Sequence, residues 1–176
     1  ENGRAVGVVL ADGTLIESAE VVVAAGAIHS PAILLRSKID RPGIGQGLQD
    51  HPSAPLTVAL KENCSIDELA VTTLARFTSG FDPADLQLLP IDHLGHGNDG
   101  YGLLSVALML TRSRGQITLA SHDPHVDPTV DFNLLSDERD IAALTVGVEV
   151  ARHLLDSPAL QRIASEVFID DVGTPL

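Results

Sequence analysis

Cysteine and tryptophan are the scarcest side chains in this sequence: of 176 residues one is a cysteine, Cys64, and none is a tryptophan. A single thiol excludes an internal disulfide and any zinc site built on cysteines. No histidine stands near Cys64 in sequence to activate it as a nucleophile. Four Phe and one Tyr leave few flat surfaces for stacking bases or sugars, so Val, Leu, Ile and Ala must fill the core. Positive charge is short as well, with 11 Lys and Arg against 24 Asp and Glu and a formal net charge of −13. A nucleic-acid binder needs the opposite balance, because its cations displace counterions from phosphates. No apolar run reaches the roughly 20 residues of a membrane-crossing helix. Repeats, a Gly-x-Ser-x-Gly elbow and a secretory or transit segment are all missing from the residues given. The only Met is Met109, and Glu1-Asn2-Gly3 leads straight into a strand pattern. The expectation is therefore an internal portion of a longer protein, with the cytoplasm as its default location.

What is present is ordinary for a chain that buries a core: 44% hydrophobic and 20% charged residues. Residues 6–10 and 15–18 read as strands around Asp12-Gly13, a hairpin signal because Gly accepts positive φ. Residues 20–25, EVVVAA, are a continuous β-branched run, the pattern of a strand buried on both faces of a parallel sheet. Ser30 and Pro31 are read as the cap and first residue of a helix that ends before Arg41-Pro42. Residues 42–55 predict an irregular Gly/Pro loop, and residues 56–60 a strand. Residues 66–77 predict a helix; 86–91, 103–110 and 116–120 predict strands. The longest helix is expected to start at Ser136 as its cap, with Ile141, Leu144, Val148, Ala151 and Leu155 on its apolar face. Ser157-Pro158 stops it, and a further helical stretch is expected beyond.

Several groups invite chemistry. Ala24-Ala25-Gly26 carries almost no side-chain bulk at a strand end, where open α/β sheets bind flat or anionic ligands; packing alone also explains such residues. Gly43-Ile44-Gly45-Gln46-Gly47 does not follow a strand into a helix, as a dinucleotide fingerprint must. In Asp50-His51 a carboxylate beside an imidazole could orient it, or both could satisfy loop amides. His93 and His96 with Asp92 and Asp99, and His122 and His125 around Asp123, could be read as metal ligands. Solvated loop histidines are the better reading, since zinc requires a closed ligand set.

Three blocks in order resemble one family. Residues 20–37 (EVVVAAGAIHSPAILLRS) with 42–52 (PGIGQGLQDHP), then 113–124 (SRGQITLASHDP), then 130–155 (VDFNLLSDERDIAALTVGVEVARHLL) closely resemble the glucose-methanol-choline oxidoreductases, flavoenzymes that oxidise alcohols with FAD. The resemblance implies α/β plus α+β: the end of an FAD-binding Rossmann-like domain over residues 1–52, joined to an antiparallel-sheet substrate-binding domain over 53–176. It implies that Ala24, Ala25 and Gly26 lie against FAD, that Asp50 and His51 return near the flavin, and that one face of the sheet roofs it. The implied partner is a small-molecule alcohol, with no nucleic acid and no membrane span.

The sequence departs from the family pattern in places. Residues 37–41 run almost directly into Pro42 where members carry Ser-Gly-Ile-Gly and a longer connection. Gly47 replaces an Asn, the Gly-x-Gly-x-x-Gly element is missing, and the sequence stops before the block with the catalytic His. No catalytic residue is assigned in this chain, which alone is expected to be inactive. Two other readings stay open: a non-catalytic binding module or degenerate pseudoenzyme on the same fold, and a loop-histidine metal hydrolase. Which alcohol, and oxidase or dehydrogenase, the sequence leaves undecided.

Overall fold

The computed structural model describes residues 3–39, 41–61, 71–91 and 100–168. Along the chain these form β1 (Gly7–Val9), β2 (Leu15–Glu17), α1 (Gly26–Arg36), β3 (Gln46–Leu48), β4 (Ser53–Leu60) and β5 (Ala75–Phe77). There follow β6 (Leu86–Ile91), β7 (Tyr101–Leu108), β8 (Gly115–Thr118), β9 (Thr129–Asp131), α2 (Glu138–Leu155), α3 (Pro158–Ile163) and β10 (Ala164–Phe168). They divide into two compact units, Glu1–Leu48 with Gln116–Asp131, and Gln49–Gly115 with Phe132–Leu176.

In the first unit β1 and β2 pair antiparallel with Val8 opposite Ile16. Their turn is built as the Asp-Gly dipeptide requires: Gly13 sits at φ +85°, and the Thr14 amide donates to Asp12 Oδ1 at 2.9 Å. Residues 20–25 depart from the expected strand. A strand buried on both faces forms between two partners; among the described residues none pairs with this run, and Val22 is 85% exposed. Helix α1 begins at Gly26 rather than at Ser30-Pro31. Gly26 opens the helix at φ +79°, nothing in 27–29 breaks it, and the Ser30 hydroxyl turns back to accept the Ala25 amide at 2.9 Å instead of capping forward. The helix ends in a Schellman motif, with the Lys38 amide donating to Leu35 O (3.0 Å) and the Ile39 amide to Leu34 O (3.2 Å). Part of the expected irregular loop is β3, which forms a sheet of order β3-β8-β9. Its partners lie some seventy residues on, out of reach of any local pattern.

The second unit is a five-stranded antiparallel sheet, order β10-β4-β7-β6-β5, with α2 across one face. Strand alternation sends Leu56 and Val58, Leu104, Val106 and Leu108, and Leu86 and Leu88 to that face, where they meet Ala143, Leu144, Ala151 and Leu155. Each large side chain buried in this way contributes roughly 1.5–3 kcal/mol. Gly147 lets helix and sheet approach: a Cβ there would lie 2.5 Å from Val106 Cγ1. The opposite face carries Pro55, Thr57, Ser105, Ala107, Gln87 and Leu89, set by the registers Pro55↔Ser105, Gln87↔Ala107 and Leu89↔Ser105.

Three expectations change here. Residues 75–77 are strand, paired Phe77↔Leu86, not the end of a helix; the β-branched Thr72 and Thr73 and a free sheet edge outweigh a weak helical period, while 66–70 lie outside the described residues. The α2 cap is Asp137, accepting from the Arg139 amide, not Ser136. The buried stripe of α2 is rotated, so Ile141 is 48% exposed and Asp140 is 2% exposed. After Ser157, whose hydroxyl caps α3, the helix lasts only six residues before β10 pairs with β4.

Candidate functional site

The expected site residues fall on both units. In the first, Ala24, Ala25 and Gly26 are exposed, and a Cβ at Gly26 would meet nothing within 4 Å. Ala25 is the N-cap of α1 and offers no side-chain cap, and no acidic residue occupies the first turn. The first-turn amides of α1 therefore meet an open, bulk-free surface, a donor set suited to anionic or carbonyl oxygens.

In the second unit Asp50 and His51 are held, but not to each other's side chains. The Asp50 carboxylate accepts the backbone amide of His51 at 2.8 Å. The imidazole Nδ1 instead meets the carbonyl of Leu108 at 3.1 Å. The flanking residues tie the same segment down: the Leu108 amide donates to Pro52 O at 3.0 Å, and Gln49 Nε2 donates to Thr111 O at 2.9 Å. Residues 49–52 are thus fastened to the end of β7, while the His51 side chain stays exposed.

A polar knot that the sequence reading missed lies at the start of α2. The Asp140 carboxylate is buried and accepts four hydrogen bonds: the Arg112 amide to both oxygens (2.9 and 3.0 Å), the Ser113 amide (2.8 Å) and the Ser113 hydroxyl (2.6 Å). Burial pushes its pKa up, yet the donors from Ser113 and Arg112 together outweigh that and hold it below 3.8. Ser113 Oγ also accepts the Asp137 amide at 3.1 Å, and Asn133 Nδ2 donates to Arg114 O at 2.9 Å. The Arg112 guanidinium pairs with Asp82, and in the same loop the buried Asp85 accepts the Ser79 amide and hydroxyl at 2.8 and 2.5 Å. The signal for the knot was an acid on the face of α2 that also carries Ala143, Leu144 and Gly147, twenty-seven residues after the Ser113 that opens the Ser-Arg-Gly block. With every donor satisfied, these groups join elements and offer no free nucleophile or base. At the surface, the Arg139 side chain and amide hold the Asp137 carboxyl far below its ordinary value.

His93 and His96, with Asp92 and Asp99, lie outside the described residues. His122 and His125 are exposed, and among the described residues no group of three or more His, Cys, Asp or Glu could hold a metal ion. Nor is any described helix long and apolar enough to cross a membrane.

Gly47, which stands where the resemblance expects Asn, has φ +74° with nothing within 4 Å of a Cβ. Asn is the side chain that best tolerates that region, so the exchange keeps the backbone and loses only the amide. Lys38 stands where the resemblance expects Gly, and it too adopts positive φ, +54°.

Family models described as GMC oxidoreductase match residues 1–53 and 111–174. Among curated proteins, the 5-(hydroxymethyl)furfural oxidase of Methylovorus sp. (strain MP688) is 33% identical over 91% of this chain and 34% of its own length. The oxygen-dependent choline dehydrogenase of Sinorhizobium fredii is 27% identical over 92% of this chain and 39% of its own. The chain thus spans little more than a third of the curated relatives it matches. Among solved structures, pyridoxine 4-oxidase from Mesorbium loti superposes with a TM-score of 0.75 at 17% identity, covering 97% of this chain and 40% of that one. Formate oxidase from Aspergillus oryzae gives 0.76 at 16% identity, covering 93% and 42%. At these identities the superpositions establish the fold.

Proposed function

The chain belongs to the GMC oxidoreductase family, and on that premise we propose that it is part of an FAD-dependent oxidoreductase acting on the CH–OH group of a small-molecule alcohol. The observation that carries this is the pairing of family blocks with their structural roles: residues 49–52 fastened to the end of β7, and Ser-Arg-Gly locked to the acidic start of α2. Relatives named for the oxidation of 5-(hydroxymethyl)furfural and choline support that substrate class.

In this reading residues 1–52 come from the flavin-binding part and 53–176 from the substrate part. The open strip Ala24-Ala25-Gly26 and the first-turn amides of α1 fit a flat, polar-edged cofactor, and the family resemblance assigns Asp50 and His51 to cofactor binding as well. When bound, FAD supplies the hydride acceptor. The sheet face with Pro55, Thr57, Ser105, Ala107, Gln87 and Leu89 excludes water and shapes the space for the alcohol. Removal of the hydroxyl proton calls for a base that titrates near neutrality, a histidine by preference; no residue of this chain is assigned that role. The 176 residues alone are expected neither to retain FAD tightly nor to turn over an alcohol.

A second reading, a non-catalytic module on the same fold, rests on Gly47 and the short 37–41 connection. Expression of the complete reading frame that contains these residues separates the two. The enzyme reading expects a yellow protein whose flavin absorbance is bleached anaerobically by a primary alcohol. A colourless protein, inert to a panel of alcohols, overturns it in favour of the module.

A further inference from the structure

Building on the flavin reading, we propose that His51 is locked in its Nδ1–H tautomer and presents Nε2 as a hydrogen-bond acceptor for a hydroxyl group of the bound ligand. Nδ1 lies 3.1 Å from the carbonyl oxygen of Leu108, and a carbonyl can only accept, so Nδ1 carries the proton. In the neutral ring Nε2 then holds the lone pair. Among the described residues no hydrogen bond to Nε2 occurs, and the side chain is exposed. The rest of the segment is fixed by Asp50 on the His51 amide, Pro52 on Leu108 and Gln49 on Thr111.

Such anchoring holds an acceptor in one orientation at no ordering cost when a donor arrives. His153 provides the contrast: its Nδ1 meets Glu149 O, one turn back on its own helix, at 2.7 Å. That bond is local to an exposed helix end, whereas the carbonyl of Leu108 comes from a strand fifty-seven residues away. The donor class is an alcohol-type hydroxyl, either from the cofactor's polyol chain or from the alcohol substrate.

The test begins with long-range proton–nitrogen NMR on the 15N-labelled chain at pH 8, with His51→Asn to assign the signals. A protonated Nδ1 and unprotonated Nε2 at His51 are expected; the reverse tautomer, or rapid averaging, overturns the lock. Diethyl pyrocarbonate, which acylates an unprotonated ring nitrogen, is then applied to the flavin-free protein expressed from the complete reading frame, alone, with millimolar FAD, and with millimolar 5-(hydroxymethyl)furfural. Labelling of His51 is expected to slow about tenfold, the scale of one well-made hydrogen bond, in one ligand arm, while His153 labels unchanged. Protection by FAD names the cofactor hydroxyl, and protection by the furan alcohol names the substrate. Equal labelling in all three arms overturns the ligand role. Flavin fluorescence anisotropy in the same samples keeps the two readings apart: bound FAD with His51 unprotected removes His51 and leaves the flavin reading standing. The His51→Asn chain can still donate to Leu108 O, so it should fold as before and show no ligand-dependent change at this position.

Discussion

Lys38 and Asp140 show how much single side chains decide here. Lys38 closes the Schellman turn of α1 at φ +54°, a conformation that costs an ordinary L-residue about 1–2 kcal/mol. Lys38→Gly relieves that strain but enlarges the freedom of the unfolded chain, so a net gain of about 0.5–1 kcal/mol is expected in urea titration. Asp140 works in the opposite sense. Asp140→Asn puts an NH2 group among amide and hydroxyl donors, leaving buried donors unmatched at a cost of about 2–3 kcal/mol. The same carboxylate makes the second unit acid-sensitive. Its folded pKa lies below 3.8, so its stabilisation is complete above that value and lost as pH falls through the folded value. Circular dichroism between pH 5 and 2 should show α2 losing stability there in the native protein, with a smaller acid step in Asp140→Asn.

Among the elements, the ones legible in advance were those whose stability is local or whose faces differ. The β1–β2 hairpin follows from Asp12-Gly13, and β6 and β7 follow from runs such as Leu86-Gln87-Leu88. The α3 boundary follows from Ser157-Pro158. Elements defined by distant partners were not legible: β3 exists because β8 pairs with it, and β5 because β6 offers an edge. Residues 20–25 show the converse, a strand pattern without a pairing partner among the described residues. The rotation of α2 was hidden because a buried Asp looks like a surface residue until Ser113 and Arg112 are seen around it. For the site, the family blocks were legible, but the bond from His51 to Leu108 was not, since its acceptor lies fifty-seven residues away. Helix α2 also sets the tightest packing constraint. Val106 is fully buried and its branched side chain is stiff, so it cannot swing away from a new methyl group. Gly147→Ala should therefore cost about 1–3 kcal/mol through overpacking, despite Ala's better helix propensity, read as a lower urea midpoint.

At the scale of the whole molecule, buried apolar residues concentrate in the second unit, whereas β1 and β2 expose Val8, Val9, Leu15 and Ile16. A lone two-stranded hairpin is marginal in water. Amide exchange should accordingly be slowest in β4, β6 and β7 and near the free-peptide rate in β1 and β2; equal protection of hairpin and sheet would refute this ranking. The division of the chain has a further effect. The first unit needs residues 116–131 as well as 1–48, so on the ribosome residues 1–48 must wait while the intervening strands are made. At about 5–20 residues per second that delay is on the order of several seconds. During it, β3 lacks β8 as its partner, and the Gly45 carbonyl lacks the Ile117 amide that it accepts in the finished fold. Birth order, rather than final stability, thus decides how long the segment around β3 waits unpaired.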